Sequence, residues 1–263
     1  MNEVQAMLLA VDIGNTHAKF GIFDENGALV ADWRAVTDHD RTADEWGVLV
    51  ERFLALRGYR LAELRHCIIS SVVPPATAAV SEMVRRYLHT EPLIVSAEID
   101  IGIPVQVPNP AEVGADRLVN AVAAVKRYGA PAIVIDLGTA TTFDVVSPEG
   151  AYIGGVIAPG LQLSASALFS RAARLFKVDF VFPPRVIGNT SATAMQSGLM
   201  WGYASLIEGI VARITAELGA QPTVIATGGL AEAMAEHTAC ITVVDQALTV
   251  DGLYEIWKRH HGS

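Results

Sequence analysis

Three short segments of this chain carry residue types that could do phosphate chemistry. Asp12-Ile13-Gly14-Asn15-Thr16 and Asp136-Leu137-Gly138-Thr139-Ala140-Thr141-Thr142 each end one β-branched apolar run and lead into another. A glycine in such a turn lets the backbone bend tightly and approach a ligand with no Cβ in the way. The Asn and Thr side chains and backbone N–H groups that follow can donate to phosphate oxygens. The aspartate can hold a cation directly or through water, as the Mg²⁺ accompanying a nucleotide requires. One copy alone would read as an ordinary hairpin. Two copies, 124 residues apart from 12 to 136, each opening a series of strands, point to phosphate binding.

The third segment, Gly114-Ala115-Asp116-Arg117, stands at the start of a helix. Helix N–H groups there stabilise Asp116 as the anion, and Arg117 can fork onto a carboxylate or phosphate. A capping Asp beside a solvated Arg has the same spacing. In the functional reading, Asp116 accepts the proton of an attacking hydroxyl while Arg117 holds the acceptor's anionic end. A carboxylate suits that role because phosphoryl transfer depends mostly on positioning and charge stabilisation. The chain has neither Gly-x-x-x-x-Gly-Lys-[Ser/Thr] nor a strand-to-helix Gly-x-Gly-x-x-Gly, so no P-loop or dinucleotide fingerprint is present. A phosphate site must instead be built from hairpins facing each other across a cleft.

The elements that must position these segments alternate between strand and helix. Met7–Asp12, Ala18–Phe23 and Leu29–Val36 read as strands, with Asp24-Glu25-Asn26-Gly27 as a hairpin turn. Trp46, Leu49, Val50, Phe53 and Leu56 then recur at helical spacing, and Gly58 stops the helix. His66–Val73 is a buried strand, and Pro74-Pro75 start a second helix. The proline-rich stretch from Glu98 to Glu112 is an irregular connection ahead of a helix carrying Leu118, Val119, Val122 and Val125. The strand order then restarts with Ala132–Asp136, Thr141–Val146 and Ala151–Ile157. A long helix with Met195, Leu199, Leu206, Ile210, Ile214 and Leu218 on one face follows. Next come a strand at Thr223–Ala226, a Gly228-Gly229 turn, a helix, a strand near Ile241–Val244 and a last helix. Self-similarity at this period indicates a duplicated domain, since solenoid repeats run about 20–50 residues. The division falls at 1–128 and 129–263.

Composition sets outer limits. Of 263 residues, 51% are hydrophobic and 18% charged, against a usual charged share of about 25%. That excludes a disordered chain and suggests sheets covered on both faces or a substantial subunit interface. A formal charge of −9 argues against nucleic acid as a partner. Two cysteines cannot form a disulfide framework or a thiolate zinc site. No apolar run approaches the roughly 18–20 residues of a membrane span, and Met1-Asn2-Glu3-Val4-Gln5 lacks the basic region of a secretory signal. A cytoplasmic protein, not bound to membrane, is expected.

Taken together in this order and spacing, the three segments resemble those of the type III pantothenate kinases. The likeness continues through Gly154-Gly155, Ile157-Ala158-Pro159-Gly160, Ala194-Met195-Gln196-Ser197-Gly198 and Thr227-Gly228-Gly229. It implies an α/β fold of two duplicated RNase H-like domains, of the actin-like ATPase and acetate/sugar kinase superfamily, with an interdomain ATP cleft. It also implies ATP-dependent phosphorylation of pantothenate to 4'-phosphopantothenate, the first step of coenzyme A synthesis. ATP with Mg²⁺ and a monovalent cation, K⁺ or NH₄⁺, would be required, and the protein would be a homodimer with the pantothenate pocket at its interface. Asp12, Ile13, Gly14, Asn15, Thr16, His17, Ala18 and Lys19 would form the first phosphate loop, with Asp12 facing Mg²⁺, and Thr139 would also bind ATP. Gly114, Ala115, Asp116 and Arg117 would contact pantothenate, Asp116 as general base. Asp136 would bind the monovalent cation. Some members carry a tyrosine where this chain has Val107, so the substrate contact there is apolar. A family threonine falls on Ser191, which keeps the hydroxyl, with Thr190 adjacent. The alternatives are another small-molecule kinase of the superfamily, or a non-catalytic regulatory accessory factor on the same fold. Three aspartates with two anionic substrates demand counter-charge, available from Arg117, Lys19, backbone amides and bound cations.

Overall fold

The computed structural model describes residues 6–171 and 176–262, and the opening stretch Met1-Asn2-Glu3-Val4-Gln5 lies outside them. The described residues form two compact units. One comprises those up to Lys126 together with those from Ala247 onward, and the other is Arg127–Gln246.

The first unit is built on β1 (Met7–Ile13), β2 (His17–Phe23), β3 (Leu29–Val36), β4 (Leu64–Ser71) and β5 (Leu93–Ile94), in the order β3-β2-β1-β4-β5. The first three strands form an antiparallel meander, while β4 and β5 run parallel to β1. Every residue of β1 is buried, which is why it reads as a continuous apolar run instead of an alternating one. The β2–β3 turn is tied by the Asp24 carboxylate, which accepts from the Asn26 and Ala28 amides at 2.9 and 2.8 Å. Helices α1 (Ala43–Leu56) and α2 (Pro74–Met83) cover one face. Thr42 and Glu45 form a capping box at the start of α1. Trp46, Val50, Leu54, Val80 and Met83 pack there against Val11, Ile13, Phe20, Ile22 and Ile69.

Helix α3 (Ala115–Tyr128) follows an irregular segment in this unit. The sequence halves assign residues from 129 onward to the second domain, yet the last helix packs on β1, β2 and β4. Phe23 stacks on Tyr254 of that helix at 4.7 Å. A Cβ at Gly252 would lie 2.3 Å from the Val119 carbonyl oxygen, so the two helix backbones touch there. Periodicity reveals an apolar helix face but not which sheet receives it.

The second unit repeats the plan with β6 (Ala132–Leu137), β7 (Ala140–Val146), β8 (Tyr152–Pro159), β9 (Thr223–Gly228) and β10 (Val243–Val244). Their order, β8-β7-β6-β9-β10, is that of the first sheet. Helices α4 (Leu161–Arg171), α5 (Ser191–Leu218) and the short α6 (Ala231–Ala235) complete the unit, and α7 (Leu248–His261) is the helix on the first sheet. Thr190 and Thr193 cap the start of α5, and Gly219 closes it at φ 63°. Leu161, Leu199, Tyr203 and Ile207 meet Ile133, Ile135, Leu137 and Phe143 in its core. Among the described residues no helix is long and apolar enough to cross a membrane.

Candidate active site

The first loop hangs from the end of β1. Asp12 is paired in register with Lys19 of β2 and with Ser70 of β4, so all three side chains share one sheet face. The opposite face, covered by α1 and α2, takes the buried side chains of Ile13 and Ala18. These two can therefore meet a nucleotide only through their backbones. Gly14 closes the turn by donating its amide to the His17 carbonyl at 3.0 Å. Thr37, at the end of β3, clamps the loop from outside. Its hydroxyl donates to the Gly14 carbonyl at 2.7 Å and its amide to the Thr16 carbonyl at 2.9 Å. Asn15, Thr16 and His17 are left exposed, while Lys19 is half-buried beside Asp12.

Gly114–Arg117 reaches the same end of the same sheet. A Cβ at Gly114 would be 3.5 Å from Val72 Cγ1, and the Val72 amide donates to the Ile13 carbonyl at 3.1 Å. That is the carboxyl end of β1 and β4, where open α/β sheets bind ligands. The same Cβ would come within 2.6 Å of Asp116 Oδ1, so the glycine makes room for the carboxylate. Asp116 Oδ1 accepts the Arg117 amide at 2.9 Å, and that amide also reaches the Gly114 carbonyl at 3.1 Å. Asp116 and Arg117 are both half-buried. Val107 is half-buried in the irregular segment that leads to α3. The first unit thus brings Asp12, Lys19, Asp116 and Arg117 to one edge.

In the second unit, Asp136 occupies the place that Asp12 holds in the first. It pairs in register with Thr142 of β7 and Thr227 of β9. The loop is one residue shorter, with the Gly138 amide donating to the Ala140 carbonyl at 3.1 Å. Two glycines press on it from outside. A Cβ at Gly160 would lie 2.2 Å from the Thr139 carbonyl oxygen, and one at Gly228 (φ 93°) would lie 2.7 Å from that of Leu137 and 2.9 Å from Asp136 Oδ1. The Thr142 hydroxyl donates to Asp144 Oδ2 at 3.1 Å. Thr141 faces the other way and shares a hydrogen bond with Tyr203, whose phenol is pushed up chiefly by burial. Thr139 is exposed on the loop, next to the point where Gly160 closes on it.

Ser191 also belongs to the second unit. It is exposed as the first residue of α5, on an apolar groove of about 540 Å³ shared with Leu168, Ala194, Met195, Gly198 and Leu199. Thr190 is committed as the helix cap, which leaves Ser191 as the hydroxyl available to a ligand. A larger cavity of about 840 Å³ lies by the start of β9, with Glu208 and Cys240 as its titratable groups. Cys240 is pushed up by burial and by Glu208, which disfavours its thiolate. Sequence reasoning missed Thr37, Ser70, Thr142 and Thr227 as site residues. The last two stood inside quoted motifs, whereas Thr37 acts only through tertiary contact.

Among the described residues no group of three or more His, Cys, Asp or Glu could hold a metal ion. Each half instead offers one aspartate with neighbouring hydroxyl or amide groups. That donor set fits hard cations whose remaining ligands are phosphate oxygens and water. It does not fit a chelated transition metal.

Paired Asp-x-Gly hairpins at matching edges of two sheets with identical strand order define the actin-like ATPase and sugar kinase class. The fold agrees with solved members of very low identity. One is the polyphosphate/ATP-glucomannokinase of Arthrobacter sp. strain KM (17% identity, TM-score 0.50, 97% of this chain and 100% of that one). Another is the ADPNP-bound activator of 2-hydroxyisocaproyl-CoA dehydratase from Clostridium difficile (13% identity, TM-score 0.52, 97% and 96%). Within this class the family model for type III pantothenate kinase matches residues 8–213. The type III pantothenate kinase of Roseiflexus sp. strain RS-1 is 49% identical over 252 residues, 96% of this chain and 98% of the relative. That of Moorella thermoacetica is 44% identical over 254 residues, 97% and 100%. The chain belongs to the type III pantothenate kinase family.

Proposed function

We propose that the protein transfers the γ-phosphoryl group of ATP to the 4'-hydroxyl of pantothenate, the first step of coenzyme A synthesis. Family membership over nearly the whole chain carries this reading, supported by Asp12 and Asp136 at equivalent positions on two matching sheets and Asp116 in the first turn of α3. In the proposed reaction the Asp116 carboxylate takes the hydroxyl proton as that oxygen attacks the γ-phosphorus. The bond from phosphorus to the β–γ bridging oxygen breaks, and its electron pair leaves on ADP. The Arg117 amide on Oδ1 helps to fix the orientation of the carboxylate. Asp116 can stay ionised at the start of α3, where the helix dipole favours the anion.

Arg117 binds the pantothenate carboxylate, with Gly114, Ala115 and Val107 shaping the remainder of that pocket. Asp12, Asn15, Thr16 and Lys19 hold the triphosphate together with the backbone of Ile13, Gly14, His17 and Ala18, and Thr139 contacts ATP from the second loop. ATP arrives with Mg²⁺, which Asp12 faces, and Asp136 holds K⁺ or NH₄⁺. These cations supply positive charge to offset the aspartates and the two anionic substrates. A homodimer places Ser191 in the substrate pocket. Support comes from the apolar groove beside it and from Val181, Val186 and Ile187 of the same unit, which are exposed. The protein works in the cytoplasm, without a membrane or nucleic-acid partner, consistent with its acidic balance. A coupled ADP-release assay with Mg²⁺ and K⁺ tests the reading. Turnover with pantothenate, and none with a panel of sugars, is expected. A sugar preference, or no turnover at all, overturns it.

A further inference from the structure

Among the described residues three serine or threonine hydroxyls are enclosed without a hydrogen bond in the chain: Ser70, Ser81 and Thr227. Ser81 sits in a helix. The other two occupy the same position in the duplicated halves. Ser70 lies directly across from Asp12 on the parallel strand β4, and Thr227 lies directly across from Asp136 on the parallel strand β9. Neighbouring hydroxyls are committed elsewhere. Ser71 accepts from the Val73 amide at 3.1 Å, Thr142 donates to Asp144, and Thr141 pairs with Tyr203.

Leaving a buried hydroxyl unbonded costs about 1–3 kcal/mol. Two such groups at equivalent positions beside the two loop aspartates call for a shared explanation. Strands in a sheet run about 4.8 Å apart, so each hydroxyl is the cross-strand neighbour of a carboxylate to which it is not bonded here. Ser70 and Thr227 are both 0% exposed, against 9% for Asp12 and a half-buried Asp136. The hydroxyls are therefore more deeply buried than the carboxylates beside them.

We propose that Ser70 and Thr227 are positioning residues for the two cations of the reaction, each turning, when the cation is bound, to donate its hydrogen to the inner oxygen of Asp12 or Asp136. This rests on the reading that Asp12 faces Mg²⁺ and Asp136 a monovalent cation. With a single carboxylate per site, the orientation of that carboxylate decides how well its other oxygen meets the ion. Partners that orient a ligating group in this way are typically worth about 10–100-fold in metal affinity. The pairing also assigns the ions separately: Ser70 acts on Mg²⁺, Thr227 on the monovalent cation.

Binding of a non-hydrolysable ATP analogue, followed by calorimetry while KCl or MgCl₂ is titrated, reads this without catalysis. Thr227→Val keeps the side-chain shape and removes the hydroxyl. It is expected to raise the K⁺ concentration for half-maximal binding about 10–100-fold while leaving the Mg²⁺ requirement as it is. Ser70→Ala is expected to do the reverse, and Thr227→Ser to restore the K⁺ response. Without ligands, the Tm of Thr227→Val should equal or exceed that of the parent, because an unbonded buried hydroxyl has been replaced by a methyl. A Thr227→Val protein with the parent's K⁺ response overturns the inference. So does a variant that shifts both cation responses alike, or loses stability without ligands, since either marks a structural role. If the parent itself binds the analogue without regard to K⁺, the reading of Asp136 fails first and takes the inference with it.

Discussion

Gly160→Ala tests whether the second loop works where it lies. The backbone of Gly160 is open to any residue, because its φ is not in the left-handed region; the obstacle is the space for a Cβ. That atom would stand 2.2 Å from the Thr139 carbonyl oxygen and 2.6 Å from that of Gly138. Heavy atoms pack at about 3.5 Å or more, so the loop must retreat by roughly 1 Å to admit one methyl group. A displacement of that size around a reacting centre costs on the order of 10²-fold in rate, or about 2.7 kcal/mol of transition-state stabilisation. The expected result is a fall of about 10²-fold in kcat/KM for ATP, with a much smaller change in KM for pantothenate, whose motif belongs to the first unit. The coupled ADP-release assay measures both. Overpacking should also lower Tm modestly, by about 1–3 kcal/mol in stability. Gly202→Ala is the control. That residue is exposed on α5 with nothing within 4 Å of an added Cβ, and it should gain up to about 1 kcal/mol with unchanged kinetics. A Gly160→Ala enzyme with the parent's kcat/KM for ATP would refute the argument, because the loop would then be free to move without consequence.

Three further outcomes are expected. Asp116→Asn should lower kcat by about 10²–10⁴-fold with pantothenate saturating, and near-normal turnover would remove Asp116 as general base. Trp46→Ala, which empties a fully buried site where the indole lies 5.8 Å from the Phe20 ring, should lose about 3–5 kcal/mol, read as a lower Tm. His66 is held below the ordinary histidine value by burial and, secondarily, by His261. The unfolded chain therefore takes up a proton that the folded one refuses as pH falls below about 6.5. Stability due to this group is present above that pH and is lost as pH drops toward the lowered value. Tm measured from pH 7.5 to 5.5 should fall less steeply in His66→Gln than in the parent, and an identical slope would show that His66 is not responsible.

The sequence made the sheets legible because their central strands β1 and β6 are buried on both faces and run into Asp-x-Gly. Met7–Ile13 and Ala132–Leu137 could hardly be anything else, and the repeat between them disclosed the duplication. Shorter or tertiary features were hidden. A two-residue strand such as Leu93–Ile94 has no periodicity to detect. Helix α4 is an element separate from α5, in a stretch where the sequence announced only the Ile157-Ala158-Pro159-Gly160 segment ahead of it. In the site, residue types and order pointed to Asp12, Asp116, Asp136 and the glycine turns, all of which the structure places at strand or helix ends. Their supports were not readable. That Thr37 clamps Gly14 depends on where β3 ends relative to the loop, and the significance of Ser70 and Thr227 depends on register. Gly160 stood in a quoted motif, but only the approach of the Thr139 carbonyl explains why no other residue fits there.

The placement of α7 bears on how the molecule is made. The first unit is discontinuous, with the whole of Arg127–Gln246 inserted between Lys126, near the end of α3, and α7. During synthesis, at about 5–20 residues per second, the first sheet emerges early with Leu8, Ala10 and Phe23 still lacking α7. The second unit, contiguous along the chain, can mature before its predecessor is finished. The nascent first half thus carries an apolar surface without α7 for as long as the ribosome needs to write the second.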